Sequence, residues 1–310
     1  MSATQKMTAE EFAALFKTSA KDLPASAVKL LEGMNAEYRE ASREELEEYI
    51  LEMAKLLRAD FIVRDTQQNY EAWLKGWQEN LEEAIAKGIS ADTVRPKYFR
   101  KSKFLRLKKD IVVSDNLFLE HELFTVIRHY LFQKYLAPYE HIYEIGCGSC
   151  QNLYMLTEMF PDKKIYGFDW VEPSKKLADL LGEKLNKPIR GGIFNMIEPP
   201  KDFSFPKNSA VITIHAMEQI GKKSEAFLDC LIKAKPELVL HHEPILEFYD
   251  ENNLLDYLAK WYSQKRNYLE GYWPALQARE AKSEIEFVDA YRPYLGGIVH
   301  EASVIAWRPK

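Results

Sequence analysis

Two short apolar runs of this chain each end in groups that can handle protons. The run Ala210–His215 leads into Ala216, Met217 and Glu218, and Glu237–His242 leads into Glu243 and Pro244. An imidazole near its neutral range is suited to taking a proton from an acceptor hydroxyl, so His215 and His242 are candidate general bases. Glu218 or Glu243 could orient the ring. The same four side chains, His215, Glu218, His242 and Glu243, also read as ligands for one divalent metal ion. Side chains alternate along a strand, so one of His241 and His242 is expected to point into a sheet face.

A third run carries a different signal. His141–Ile145 runs straight into Gly146-Cys147-Gly148, after which a helix begins, and Asp169 ends the next apolar run 21 residues after Gly148. Glycines after a strand let the chain turn sharply and let a ligand touch the backbone. A carboxylate at that distance accepts two hydrogen bonds from ribose hydroxyls. The spacing Cys147-x-x-Cys150 reads as a coincidence of the loop, not a redox pair.

These residues need a frame. From about Ser114, with Asp115 as a candidate cap, a helix runs through Leu119, Leu123, Ile127 and Leu131 to Leu136. Beyond it the apolar runs 141–145, 164–169, 188–194, 210–215, 237–242 and 285–291 alternate with helical stretches, which predicts crossover connections and a mainly parallel sheet. A last run, 302–307, follows after about ten residues containing Gly296-Gly297, too few for a helix, so it returns antiparallel. The fold class is α/β: a Rossmann-like, seven-stranded, mainly parallel sheet with an antiparallel last strand, preceded by an all-helical N-terminal domain. The boundary falls between residues 1–113 and 114–310.

Within 1–92, Thr8 with Glu11 predicts a capping box, and Leu46, Ile50, Met53 and Leu57 predict an amphipathic helix over 43–60. A helix over 67–87 carries Tyr70, Trp73, Leu74, Trp77 and Leu81, a stripe read as core. The aromatic stretch 256–278 is read as core or as a lid, with Tyr268, Tyr272 and Trp273 as candidate walls for an acceptor.

The segments YEIGCGSCQN, IYGFDW and AVITIHAMEQIG closely resemble the motifs of class I S-adenosylmethionine-dependent methyltransferases, over about residues 115–310. A nicotinamide enzyme fits less well, because Gln151 stands where GxGxxG would place its last glycine. The resemblance implies that Glu144, Gly146, Cys147 and Gly148 hold the methionine half of S-adenosylmethionine, with His215 at its edge. It implies Asp169 on the ribose, Trp170 beside the adenine, and Phe194-Asn195 at the adenine amino group. The chain departs from the family at Asn195, usually Asp, and at Cys150, often a third glycine. NPPY and DPPY, typical of nucleobase amino methylation, are absent, which turns the expectation to O-methylation of a small natural product, sugar or similar metabolite. The helical N-terminus is expected to cap the acceptor side.

Composition bounds the alternatives. The 310 residues are 46% hydrophobic and 13% aromatic, enough for a sizeable core, with a net charge of −5. No run of about 18 apolar residues is present, so no membrane span is expected, and neither a secretory leader nor a disulfide framework is read, with three cysteines. A reducing cytoplasm is the expected compartment. Charge is uneven: residues 95–109 hold eight basic residues and no acid. That block is read as a solvated connector or as a phosphate-facing patch in which Arg100 and Arg106 fork onto phosphate oxygens. The patch keeps open an RNA or protein methyltransferase docking through 95–109, beside a non-catalytic partner subunit.

Overall fold

A computed structural model describes residues 3–59, 66–97, 101–299 and 301–310. In chain order the strands are β1 Gln5–Lys6, β2 Glu37–Glu40, β3 Phe104–Leu107, β4 Asp110–Val113, β5 His141–Ile145, β6 Lys164–Asp169, β7 Ile189–Ile193, β8 Ser209–Ile214, β9 Leu238–Glu243, β10 Ile285–Tyr291, β11 Leu295–Gly296 and β12 Ser303–Pro309. The helices are α1 Ala9–Leu15, α2 Ala25–Gly33, α3 Arg43–Arg58, α4 Thr66–Lys87, α5 Leu119–Leu131, α6 Gln151–Met159, α7 Glu172–Leu185, α8 Glu225–Ala234, α9 Leu254–Lys265 and α10 Tyr272–Ala281.

Seven strands form one sheet in the order β10-β12-β9-β8-β5-β6-β7, with β12 antiparallel to both its neighbours and the rest parallel. Chain order reverses direction between β5 and β8. In an open α/β sheet the ligand crevice lies outside the carboxyl ends of the strands at that switch point. The central strands β8 and β9 are buried at every residue. One face packs α5, α6 and α7 through Leu123, Ile127, Leu153, Leu177 and Leu181; the other packs α8 and α10 through Phe227, Leu231 and Leu276.

The N-terminal region is not all helical. Strands β1, β2, β4, β3 and β11 form a second, antiparallel sheet, whose last member comes from the link between β10 and β12. The β3–β4 turn is two lysines, Lys108 and Lys109, at φ 53° and 76°. Mirror-image hairpin turns need positive φ at both positions and usually take Asn-Gly, so the turn signal is missing from the sequence.

The basic block divides: Arg95, Lys97, Lys101 and Lys108 are exposed as a solvated connector would have them, but its middle is buried. Phe104–Leu107 is a buried strand. Arg95 pairs with Asp92, Lys97 with Glu83, Lys103 with Glu48 and Lys108 with Glu11. Arg106 is fully buried, so it cannot fork onto an external phosphate; Arg100 lies outside the described residues. The Arg106 guanidinium meets Asp256 and Glu301, the latter at 3.1 Å. Arg292 completes the group, donating to Asp256 at 2.7 and 2.8 Å and to Glu301. Its guanidinium lies 4.0 Å from the centre of the Tyr249 ring. Two cations and two anions, all buried, thus join β3 to α9 and to the start of β12.

Three local expectations shift. Helix α3 has its capping box at Ser42 and Glu45, and its buried stripe is Tyr49, Met53 and Leu57, with Leu46 left exposed. At α1 the Glu11 amide donates to Thr8 Oγ1, but the Glu11 carboxylate goes to Tyr38 and Lys108 instead of closing the box. Asp115 does not cap α5; Asn116 Oδ1 accepts from the Phe118 amide there, and a π-helical turn over Phe132–Leu136 ends the segment.

Candidate functional site

The glycine loop leaves β5 at the switch point. Gly146 has φ 85° and Gly148 φ 51°, backbone that L side chains enter at a cost. A Cβ at Gly146 would collide with the Ala216 side chain after β8, and one at Gly148 would sit 2.8 Å from the Trp77 ring. The turn is fixed by the Gly146 and Cys147 amides, which donate to the Phe168 carbonyl at 2.7 and 3.0 Å.

Two carboxyls flank the loop. Glu144 is buried beneath it and accepts from Asn152 Nδ2 at 2.6 Å, while its Oε2 has no hydrogen-bond partner among the described residues. Burial pushes its pKa up to about 8, against the Asn152 hydrogen bond and Arg128. Asp169 accepts from the Gly148 amide at 2.9 Å and from the Val171 amide at 3.3 Å. Burial raises its pKa to about 6, with those amides pulling the other way. The Cys147 side chain turns away into the interior beside Gly167, and Cys150 Sγ approaches the Ser174 carbonyl at 3.5 Å. Both thiols are free and buried, and burial raises their pKa values.

Helix α4 lies over this loop. Trp77 is buried on Gly148 and stacks on Trp73 with ring centres 5.2 Å apart, and Tyr70 meets Trp170 edge-on at 5.7 Å. The α4 stripe read as core is therefore also the cover of the crevice. At the third strand, Phe194 packs among Phe168, Phe203 and Phe227, and Asn195 Oδ1 accepts from the Ile197 amide. Phe194 is a core residue, and the Asn195 carbonyl already serves a turn.

Across the switch point, His215 takes φ 51° as β8 ends, and its amide donates to the His242 carbonyl at 3.1 Å. Its Nδ1 lies 3.7 Å from Glu218 Oε2, and its Nε2 has no hydrogen-bond partner among the described residues. Glu243 Oε1 accepts from the Ala216 and Met217 amides at 2.9 and 3.2 Å, bracing the turn after His215. Burial pushes Glu243 up to about 7, opposed by His215 and those amides. Strand alternation separates the two adjacent histidines. His241 faces the α10 side, bonded to Thr213 Oγ1 and the Tyr272 hydroxyl, each at 2.8 Å. His242 faces the α5 side, with its ring 5.5 Å from His215 and 6.4 Å from Phe124.

Several assignments move. Tyr272 is a buried partner of His241, not an acceptor wall, and Trp273 packs on Phe248 and Phe287. Tyr268 is buried against Tyr262, close enough to Glu218 for that carboxylate to raise its pKa after burial does. Among the described residues no three His, Cys, Asp or Glu side chains gather as a metal ion requires, so His215, Glu218, His242 and Glu243 do not form a ligand set. Glu120 and Phe124 on α5 were not singled out by the sequence. Phe124 lies 5.4 Å from the His215 ring, and a Cβ on Gly297 would collide with the Glu120 carboxylate.

No family model and no curated relative matches the chain. Solved structures similar to it include a geranyl diphosphate methyltransferase in complex with GPP and sinefungin, 12% identical over 77% of this chain and 98% of that one, with a TM-score of 0.46. An O-methyltransferase family 2 protein from Planctomyces limnophilus, in complex with apigenin, is 11% identical over 82% and 98%, with a TM-score of 0.42. A putative Zn-dependent alcohol dehydrogenase from Rhodobacter sphaeroides is 12% identical over 58% and 88%, with a TM-score of 0.39. Likeness at this level discriminates no activity.

Proposed function

We propose that the chain is an S-adenosylmethionine-dependent methyltransferase acting on a small-molecule acceptor. The observation that carries this reading is the glycine loop at the switch point, with Asp169 hydrogen-bonded at 2.9 Å to Gly148. The residues present suit the cofactor. Gly146 and Gly148 hold the positive-φ turn with Ala216 and Trp77 packed directly on it, and Glu144 keeps a buried oxygen without a hydrogen-bond partner among the described residues. Asp169 would take the ribose, Trp170 would flank the adenine, and the loop and Glu144 would hold the methionine end. When bound, the cofactor supplies a methyl group on a positively charged sulfur.

The chain's own residues then align the acceptor, exclude water and remove its proton. His215 is the proton acceptor in this reading, because its Nε2 has no hydrogen-bond partner among the described residues and Glu218 stands beside Nδ1. Helix α4 and the rest of residues 1–113 would cap the site. An RNA-docking role is not favoured, since Arg95, Lys97, Lys103 and Lys108 of the basic block are ion-paired and Arg106 is buried. Calorimetry with S-adenosylhomocysteine tests the reading: one site per chain is expected. Asp169→Ala should weaken binding by about 1.5–3 kcal/mol, the scale of hydrogen bonds to a charged group. Unchanged affinity in a folded variant would remove Asp169 from the site.

A further inference from the structure

Helix α9 is fastened on one face and exposed on the other. Asn253 caps its start, its Oδ1 accepting from the Leu255 and Asp256 amides at 3.0 and 3.1 Å. Leu255, Leu258 and Tyr262 are buried in one cluster with Tyr49, Met53 and Leu57 of α3, and Asp256 is tied to Arg106 and Arg292. The opposite face carries Leu254, Tyr257 and Trp261, exposed by 56, 50 and 50%. Among the described residues no other helix exposes three large apolar side chains. Their i, i+3, i+7 spacing is that of successive a and d positions, a straight seam along the helix, and the exposed Gln264 takes the next place. The Tyr257 and Trp261 ring centres lie 6.5 Å apart. At half exposure the three side chains present roughly 300 Å² of apolar surface, the scale at which a patch marks an interaction site.

Charge along the seam decides between occupants. A lipid surface is met by a cationic rim. Here Asp250 and Glu251 precede the helix, and Lys260, next to Trp261, is ion-paired with Glu251. Lys265 and Arg266 end the helix, the Lys265 ammonium resting on the Leu57 and Ala59 carbonyls. The seam is therefore acidic at its start and basic at its finish. A second α9 laid antiparallel answers that polarity twice over, and the two helix dipoles then oppose. In a two-fold contact residue i meets j while j meets i. With the axis near Tyr257, that residue meets its own copy and Leu254 meets Trp261 of the second copy. The Asp250–Glu251 end then faces Lys265 of the second copy. A parallel pairing would bring like ends together.

We infer that α9 is a self-association surface, on which two copies of the chain pair antiparallel through Leu254, Tyr257 and Trp261. The inference stands apart from the methyl-transfer reading. Tyr and Trp without charge at the centre, and charge at the rim, is the composition of an interface core. The helix is already held by its inner face, so pairing orders little backbone. With its polar rim the contact totals about 1,000 Å², the lower bound for a specific interface. The dimer is accordingly reversible, half formed at roughly 10–100 µM.

The test is sedimentation velocity of the full chain over about 1–300 µM, spanning that range. The mass of wild type should climb from monomer toward dimer. Tyr257→Glu and Tyr257→Lys should each stay monomeric, because like charges meet at the axis. An equimolar mixture of the two should regain the dimer, because opposite charges then meet there. Ile85→Glu, at a 66% exposed position on α4, should dimerise as wild type does. Circular dichroism reports the fold of each variant. A wild type monomeric at the highest concentration, a dimer that persists in both charged Tyr257 variants, or a mixture that stays monomeric would each overturn the inference. So would a wild type that floats with phosphatidylserine-containing vesicles while monomeric in solution, which would give the seam to a membrane surface.

Discussion

Replacing Asp256 by Asn keeps the shape of the side chain and removes its charge from the buried four-residue group. In the native protein Asp256 accepts from Arg106, twice from Arg292 and once from the Asp250 amide. The variant leaves two buried guanidiniums facing Glu301 alone. Breaking a buried pair from one side costs about 3–5 kcal/mol, because the remaining charge is uncompensated. That is a large share of a folding stability on the order of 5–15 kcal/mol. Urea unfolding followed by tryptophan fluorescence should therefore show a midpoint lower by about 1–1.7 M, taking m near 3 kcal/mol/M for a chain of this size. The pH dependence supplies a second reading. Burial alone would raise the Asp256 pKa, but hydrogen bonds from Arg292, the Asp250 amide and Arg106 outweigh it and bring it down to about 2. A depressed carboxyl contributes stability that is present above its unfolded pKa, near 3.8, and is lost as pH falls toward about 2. Wild type should lose that increment on acidification, and Asp256→Asn should not. A loss below about 1 kcal/mol at neutral pH would refute the view that this group fastens the two sheets together.

Glu144→Gln keeps an acceptor for Asn152 and removes a carboxyl raised to about 8. A raised acid stabilises below its unfolded pKa, near 4.5, and loses that as pH rises through about 8, so the variant's melting temperature should fall less than wild type's between pH 6 and 9. Gly146→Ala forces a Cβ into Ala216 at positive φ and should abolish S-adenosylhomocysteine binding by calorimetry while lowering the melting temperature. Trp77→Ala uncovers Gly148, so stopped-flow association of S-adenosylhomocysteine should be faster; a slower association would make Trp77 a ligand contact instead of a cover. His215→Gln should cut turnover by about 10²–10⁴-fold with cofactor affinity nearly unchanged.

The seven-stranded sheet was legible because its signals are local. Each strand is a short apolar run, helical stretches separate the first six except the third from the fourth, and the short link before the last forces it antiparallel. Gly146, Gly148 and Asp169 were legible for the same reason: strand, turn and strand end are close in sequence. What escaped depends on distant partners. Arg106 looks like any surface arginine until Asp256, Arg292 and Glu301 surround it. The β3–β4 hairpin was hidden by two lysines in a turn that normally advertises itself with Asn-Gly. Tyr272 and Trp273 were read as pocket walls because spacing cannot tell a core aromatic from a lining one. Glu120 was invisible because it is one of several charged or polar residues on α5, with nothing local to set it apart.

The two-residue strand β11 has a consequence for how the chain is made. Strand β3 waits for a partner whose residues, Leu295 and Gly296, lie nearly two hundred positions later. Arg106 likewise waits for Asp256 and Glu301. At translation rates of about 5–20 residues per second, that delay is on the order of ten to forty seconds. During it, an emerging nascent chain holds a hairpin with an open edge and a buried-type arginine without counterions. A hydrophobic β3 in that state is a docking edge for other strands, so folding yield should respond to ribosome pace and to chaperones that shield such edges. The small antiparallel sheet closes late, although its first four strands are synthesised first.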